Sequence, residues 1–434
     1  MALLIFLFTL ILIIWQLQGL GIGLGALTGT MFTPISGVSF TEVLTISATV
    51  GNTTITLIAL LILCRILEQA GFWRGLVLQL AVLGIGQGRL LFLLFALLGA
   101  LGTIVLTNVG MALIWIAPVM EILVLLRLGA KTAFAFVFTV SFITEAASLL
   151  FPVSNPVNLL AVDYSGVSGF RYVLVMTPVT LVAIATSLAL LWFYFHRDIR
   201  CTYDLTHLPP PHHAIRDPLV CRWGMVILGS LPLAYWMTQE HSLPTCIVPA
   251  IAALIMLALA GRWFPSNTTP TISVGKVYHD IPWQLIGFSI LMYFFVLGLG
   301  YFGMSHAITH QLETLSSWGL TLTAIGTGFL ATGLSNLFQN LPTVLLNAIA
   351  ISDTTGSDPA IREVMEYANV IGCTLGAKIT PLGSLSTLIW FKILARKGLR
   401  LHWFYYIRLS LILTLPILFL SLLSLAIWLP WLIV

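Results

Sequence analysis

The chain has 434 residues, of which 59% are hydrophobic and only 8% charged, with a mean hydropathy of +1.03 and a net charge of +4. A soluble domain carries about 25% charged residues, so a water-solvated globule is excluded and an integral membrane protein is expected. No basic run or interleaved basic–aromatic stripe points to nucleic acid.

The spans should be helical. Runs such as Val173–Phe195 and Leu409–Leu432 far exceed the roughly 10-residue strands of an outer-membrane barrel. The first apolar run, from Ala2 to Gln16, lacks a charged leader and a small-residue cleavage site, so it reads as a retained first helix. The basic residues then cluster: Arg65, Arg74 and Arg89; Arg127 and Lys131; Arg197 to Arg222; Arg262 with Lys276; and Lys392 to Arg408. The positive-inside rule places all of these in the cytoplasm.

Arg89 and Arg127 are then on the same side, yet Leu90–Leu126 is about 37 residues long against about 20 for one crossing. This segment is expected to be a re-entrant hairpin (90–126) entering from the cytoplasm, with its tip at Thr107–Gly110. Leu320–Ile351 lies between Glu313 and Asp353/Asp358 with no basic residue at either end, so it should be a hairpin (320–351) entering from outside. Each hairpin precedes a segment whose apolar run is interrupted: Thr132–Tyr164 at Pro152–Asn158, and Val364–Leu394 at Thr380–Thr387. These read as discontinuous spanning helices (132–164 and 364–394). Irregular backbone at membrane depth is viable only where protein or a watered cavity encloses it.

The expected fold is therefore an all-α polytopic membrane protein of ten transmembrane helices plus two re-entrant hairpins in an inverted repeat, with two discontinuous helices. Residues 1–196 form the N-terminal repeat, 197–221 a cytoplasmic linker containing Pro209–Pro211, and 222–434 the C-terminal repeat, with both termini outside. The competing reading, twelve ordinary spans kinked at Pro and Asn, is disfavoured by the paired spacing and the flanking charges.

Paired interruptions in two hydrophobic halves point to the binding site of a secondary transporter. Asn108, Asn155, Asn158, Asn336, Asn340, Ser384 and Thr387 sit at those interruptions and are the candidate substrate ligands. Their amides and hydroxyls suit a neutral or weakly charged, oxygen-rich solute, although the same groups could simply cap broken helices. Two ionisable residues fall at membrane depth. Glu145 is 14 residues past Lys131, roughly 21 Å along a helix, and Lys378 lies inside the second broken segment. Intramembrane charges are costly and usually functional, so both are candidate proton carriers, alone or as a bracing pair. Cys373, near Lys378, is a weak candidate ligand for a thiophilic metalloid. The five cysteines are otherwise scattered, without metal-ligand spacing. No Walker, GxSxG or HExxH motif appears, so neither an enzyme nor a bound cofactor is expected.

At Gly51–Thr54 with Glu68–Phe72, at Ser154–Asn158, and above all along Ile371–Trp390 (IGCTLGAKITPLGSLSTLIW), the chain resembles the ArsB-type arsenite/antimonite efflux permeases of the ion transporter superfamily. The resemblance implies a multi-pass protein of the inner (plasma) membrane that extrudes uncharged trivalent arsenic or antimony hydroxide by proton antiport. In some systems a separate cytosolic ATPase subunit assists. It departs from the family pattern at Val109 and Thr374, where an acidic residue is common, and at Gln339, where asparagine is common. Those departures shift the coupling role onto Lys378 or Glu145. A carboxylate/anion transporter or a sodium/proton transporter of the same superfamily is the alternative.

Overall fold

The computed structural model describes residues 40–199, 202–206, 208–240, 243–263, 271–299, 303–355, 358–399 and 401–433. The expected first helix at Ala2–Gln16 lies outside them. Every extended element among the described residues is helical, and their only β feature is a single bridge between Gln87 and Thr202.

In chain order the first half contains α1 (Phe40–Gln69), α2 (Phe72–Leu83), α3 (Gly88–Val105), α4 (Asn108–Ile114), α5 (Ile116–Leu125), α6 (Ala130–Ala147), a 3₁₀ turn at Pro152–Ser154, α7 (Pro156–Ser165) and α8 (Gly169–Phe195). Beyond the central loop come α9 (Pro218–Glu240), α10 (Ile247–Ala260), α11 (Val274–His279), α12 (Trp283–Leu299) and α13 (Ser305–Ser316). The second half then runs through α14 (Leu320–Phe338), α15 (Asn340–Ser352), α16 (Pro359–Leu375), a 3₁₀ turn at Gly376–Ile379, α17 (Leu385–Arg396) and α18 (Trp403–Trp428). Eight helical stretches among the described residues are long and apolar enough to cross a bilayer. Helices α2 and α10, with 12 and 14 residues, fall short of the roughly 20 needed.

The helices break where short polar residues replace the apolar run. Thr107 caps α4 by accepting from the Gly110 amide at 2.9 Å. Asn155 caps α7 by accepting from the Val157 amide at 3.1 Å, with Pro156 at the first helical position. Between α14 and α15 the chain turns on Gln339, a non-glycine residue at φ 73° and ψ 148°. Side chains rarely tolerate that region, and occupying it costs about 1–3 kcal/mol.

Packing across the breaks is reciprocal. Within the first half α3 lies on α6, and within the second α14 lies on α16. Across the halves, α4 packs on α17 and α15 packs on α7. Each short helix that follows a break thus rests on the post-break helix of the other half. Both ends of the α3–α5 segment adjoin α2, at whose start Arg74 pairs with Glu121 of α5 at 2.6 Å. Both ends of the α14–α15 segment return to α13. There Thr309 donates to the Ala350 carbonyl at 3.2 Å, and Thr323 donates to the Leu315 carbonyl at 2.8 Å.

Lipid is as apolar as leucine, so helices in a bilayer associate through close packing and polar contacts. The α14–α16 crossing follows that rule. A Cβ added at Gly372 would lie 2.2 Å from the Gly328 carbonyl oxygen, and one at Gly376 would lie 2.0 Å from Thr332 Oγ1. The Thr332 hydroxyl meets the Gly372 carbonyl at 3.2 Å across this contact. Gly372→Ala is therefore expected to cost about 1–3 kcal/mol by overpacking, read as a lower unfolding temperature in detergent. Gly229→Ala, which meets nothing within 4 Å, should leave that temperature unchanged; equal behaviour of the two variants would refute the close crossing.

Candidate functional site

Between the reciprocally packed breaks lies a buried ion pair. Glu145 sits near the C-terminal end of α6 and Lys378 in the 3₁₀ turn after α16; they are 1% and 2% exposed. Lys378 Nζ approaches Glu145 Oε2 at 3.2 Å and donates to the Ser141 carbonyl at 2.6 Å. It also lies 5.4 Å from the Phe142 ring centroid, within the range of a cation–π contact. The carboxylate has two further donors: Asn108 Nδ2 at 2.8 Å to Oε1, and Ser386 Oγ at 3.0 Å to Oε2. Ser384, the N-cap residue of α17, shares a hydrogen bond of 2.8 Å with Ser386. One carboxylate thus collects groups from α4, α17 and the second 3₁₀ turn.

The other candidates form two adjoining clusters. Asn158 donates to the Ser148 and Phe151 carbonyls at 2.6 and 3.1 Å, satisfying acceptors freed where α6 ends. The Thr374 hydroxyl of α16 donates to Asn158 Oδ1 at 3.3 Å, and Asn155 Nδ2 reaches Thr374 Oγ1 at 3.5 Å and Ser148 Oγ at 3.2 Å. Asn336 donates to the Thr332 and Gly376 carbonyls and accepts from the Thr380 amide, each at 2.8 Å. The Asn340 backbone N–H donates to the Gly383 carbonyl at 2.8 Å. Thr387 is buried on the first turn of α17.

The structure thus brings Asn108, Glu145, Lys378 and Ser384 into one network, Asn155 and Asn158 into a second, and sets Asn336 and Asn340 on either side of the Thr380–Gly383 loop. Spacing alone did not reveal Ser386, Ser148 and Thr374 as the hydroxyls that join these groups. The two tips also differ. Asn108 is fully engaged, its Oδ1 accepting from the Val109 amide at 2.7 Å. In contrast, Asn340 Oδ1 and Gln339 Oε1 are buried acceptors without a hydrogen-bond donor. The Cys373 thiol, also buried, faces Asn369 Oδ1 at 3.4 Å. Among the described residues no three His, Cys, Asp or Glu side chains gather as a metal site.

Broken helices enclosing a hydrogen-bonded ion pair, inside a bundle of bilayer-length helices, define a polytopic membrane transport protein. The comparisons narrow the class. The family model of the arsenical pump membrane protein matches residues 1–429. The arsenical pump membrane protein of Escherichia coli K12 is 39% identical over 97% of each chain, as is that of Yersinia enterocolitica. An uncharacterised transporter of Synechocystis is 25% identical over 86% of this chain and 84% of its own. The chain belongs to the arsenical pump membrane protein family, and its several apolar helices make it a multi-pass protein of the inner membrane.

Removing one partner of a buried ion pair leaves an uncompensated charge and costs about 3–5 kcal/mol. Glu145→Gln and Lys378→Met should therefore each lower the unfolding temperature in detergent sharply. The double variant should be more stable than the sum of the single losses predicts. Strict additivity would mean that the two side chains do not interact.

Proposed function

We propose that this chain is a secondary active exporter of trivalent arsenic or antimony hydroxide, driven by inward proton movement and working by alternating access. In this reading it has ten spanning helices and two re-entrant hairpins, with residues 1–196 and 222–434 as inverted repeats joined by the 197–221 linker. The hairpins are α3–α5, entering from the cytoplasm, and α14–α15, entering from outside. Their reciprocal seating on α17 and α7 is what an inverted repeat would produce.

The observation that carries the reading is the Glu145–Lys378 pair, hydrogen-bonded to Asn108 and Ser386 where breaks from both halves meet. A neutral hydroxide cannot offset a charge, so antiport needs a group whose proton occupancy competes with cargo. Hydroxyls of the cargo take the place of Asn108 and Ser386 at the carboxylate and disturb the ammonium's contacts with Glu145 and the Ser141 carbonyl. Lys378 then gives up its proton towards the cytoplasm as cargo binds, and regains one from outside after release. Asn155, Asn158, Asn336, Asn340, Ser384 and Thr387 complete the polar lining. The unpartnered acceptors at Asn340 and Gln339 suit a solute that arrives with O–H donors and disfavour a carboxylate, which brings none.

Two experiments test this. A cysteine placed at Asp353 should react with an impermeant maleimide from outside only, and one at Arg127 from the cytoplasm only; the reverse pattern would overturn the topology. In everted vesicles with an acid lumen, Lys378→Ala should abolish gradient-driven accumulation of arsenite while downhill exchange persists. Full gradient-driven accumulation in both Lys378→Gln and Glu145→Gln would place the proton path elsewhere.

A further inference from the structure

A separate cavity of about 210 Å³ lies between α7, α15 and α16, large against the roughly 30 Å³ that a water occupies in the liquid. It stands one helical turn from the polar site along two of its walls. Val162 on its α7 wall follows Asn158 by one turn, and Val370 on its α16 wall precedes Thr374 by one turn. Ala348 of α15 forms the third wall. Asn369 lies at the inner end, where its Oδ1 accepts from Asn347 Nδ2 of α15 at 2.9 Å and from the Cys373 thiol. That bond ties α15 to α16 beside the cavity. At the other end lie Ser165 and Ser352, at the helix ends that the topology above turns outward.

The polar groups facing the cavity are unevenly committed. Arg362 is used up on the carbonyls at the end of α15, reaching those of Ile351 and Ser352. Glu363, outside the lining, pairs with Arg171 of α8 at 3.0 Å. Glu366, in contrast, makes no hydrogen bond or close ion pair among the described residues and feels only the nearby charges of Arg362 and Glu363, and the Tyr367 hydroxyl, on a side chain only 2% exposed, also lacks a hydrogen bond. A buried hydroxyl without a partner is costly, so its position in a cavity wall next to a carboxylate that accepts no hydrogen bond points to a ligand. An anion would meet Glu366 and find the guanidinium already engaged. A metal cation would find too few ligands. A small neutral solute rich in O–H donors fits: it donates to the carboxylate and exchanges a hydrogen bond with the phenol.

We infer that this cavity is an outer release subsite for the neutral metalloid hydroxide, in which Glu366 and Tyr367 hold the cargo after it passes the Asn347–Asn369 contact and before it leaves the protein. The inference rests on the transport reading above and adds a second binding position on the outer side of the central one.

Sidedness tests it. Antimonite counterflow is measured in right-side-out vesicles, where cargo enters from the outer face, and in everted vesicles, where it enters from the cytoplasmic face. Glu366→Gln should raise the outer-face KM about tenfold, and Tyr367→Phe about threefold, as expected for one charge-assisted and one neutral hydrogen bond. The cytoplasmic-face KM should stay within about twofold of wild type, and Glu366→Asp should retain most of the outer-face affinity. A merely destabilised protein would lose transport from both faces equally, and that result, or an unchanged outer-face KM, would overturn the subsite. If wild type itself shows no antimonite counterflow in either orientation, the transport reading fails and the subsite falls with it.

Discussion

A helix interrupted inside a bilayer frees backbone donors and acceptors that lipid cannot satisfy. That constraint organises this protein. Asn158 covers the carbonyls where α6 ends, Asn336 covers Gly376 and Thr380, and the Asn340 backbone N–H finds the Gly383 carbonyl. Each solution draws on a neighbouring element, so the breaks must be packed together before any of them is tolerable. The reciprocal seating of α4 on α17 and α15 on α7 follows from this need as much as from shape. A closely packed polar network inside an apolar bundle is the result.

The Glu145–Lys378 pair sits in that network and depends on it. An isolated charge at this depth would be prohibitively costly, and even a pair needs its remaining lone pairs and protons filled. Asn108, Ser386 and the Ser141 carbonyl fill them. Because these partners come from both halves, any movement of one half against the other alters the solvation of the charges. In the proposed antiport this link between shape and charge would couple proton to cargo.

Much of this was legible in the sequence, for identifiable reasons. Pro, Asn, Ser and Gly stand out against apolar runs, so the interruptions at Thr107, Asn155, Gln339 and Ser384 could be placed to within a few residues. Glu145 and Lys378 were conspicuous as charges far from any loop. What the one-dimensional pattern could not carry was helix rotation and cross-half contact. Ser386, Ser148 and Thr374 are ordinary helix hydroxyls until packing turns them toward Glu145 and Asn158. Glu366 and Tyr367, in the middle of α16, were not singled out, since the cavity beside them exists only once α7 and α15 are in place. Loop charges led to an expectation of ten crossings, whereas eight stretches among the described residues are long enough to cross, α2 and α10 being shorter than one membrane thickness.

In the proposed transport cycle the turn at Gln339 would bear on rate. Its backbone occupies a region that only glycine enters freely, and the roughly 1–3 kcal/mol this stores spans one to two decades of an equilibrium constant. If that strain is present in one arrangement of the α14–α15 tip and relieved in the other, the residue acts as a preload. It would keep the protein from resting too deeply in the conformation seen here and lower the climb out of it. In that cycle a single awkward residue at a tip would speed departure from one of its two states.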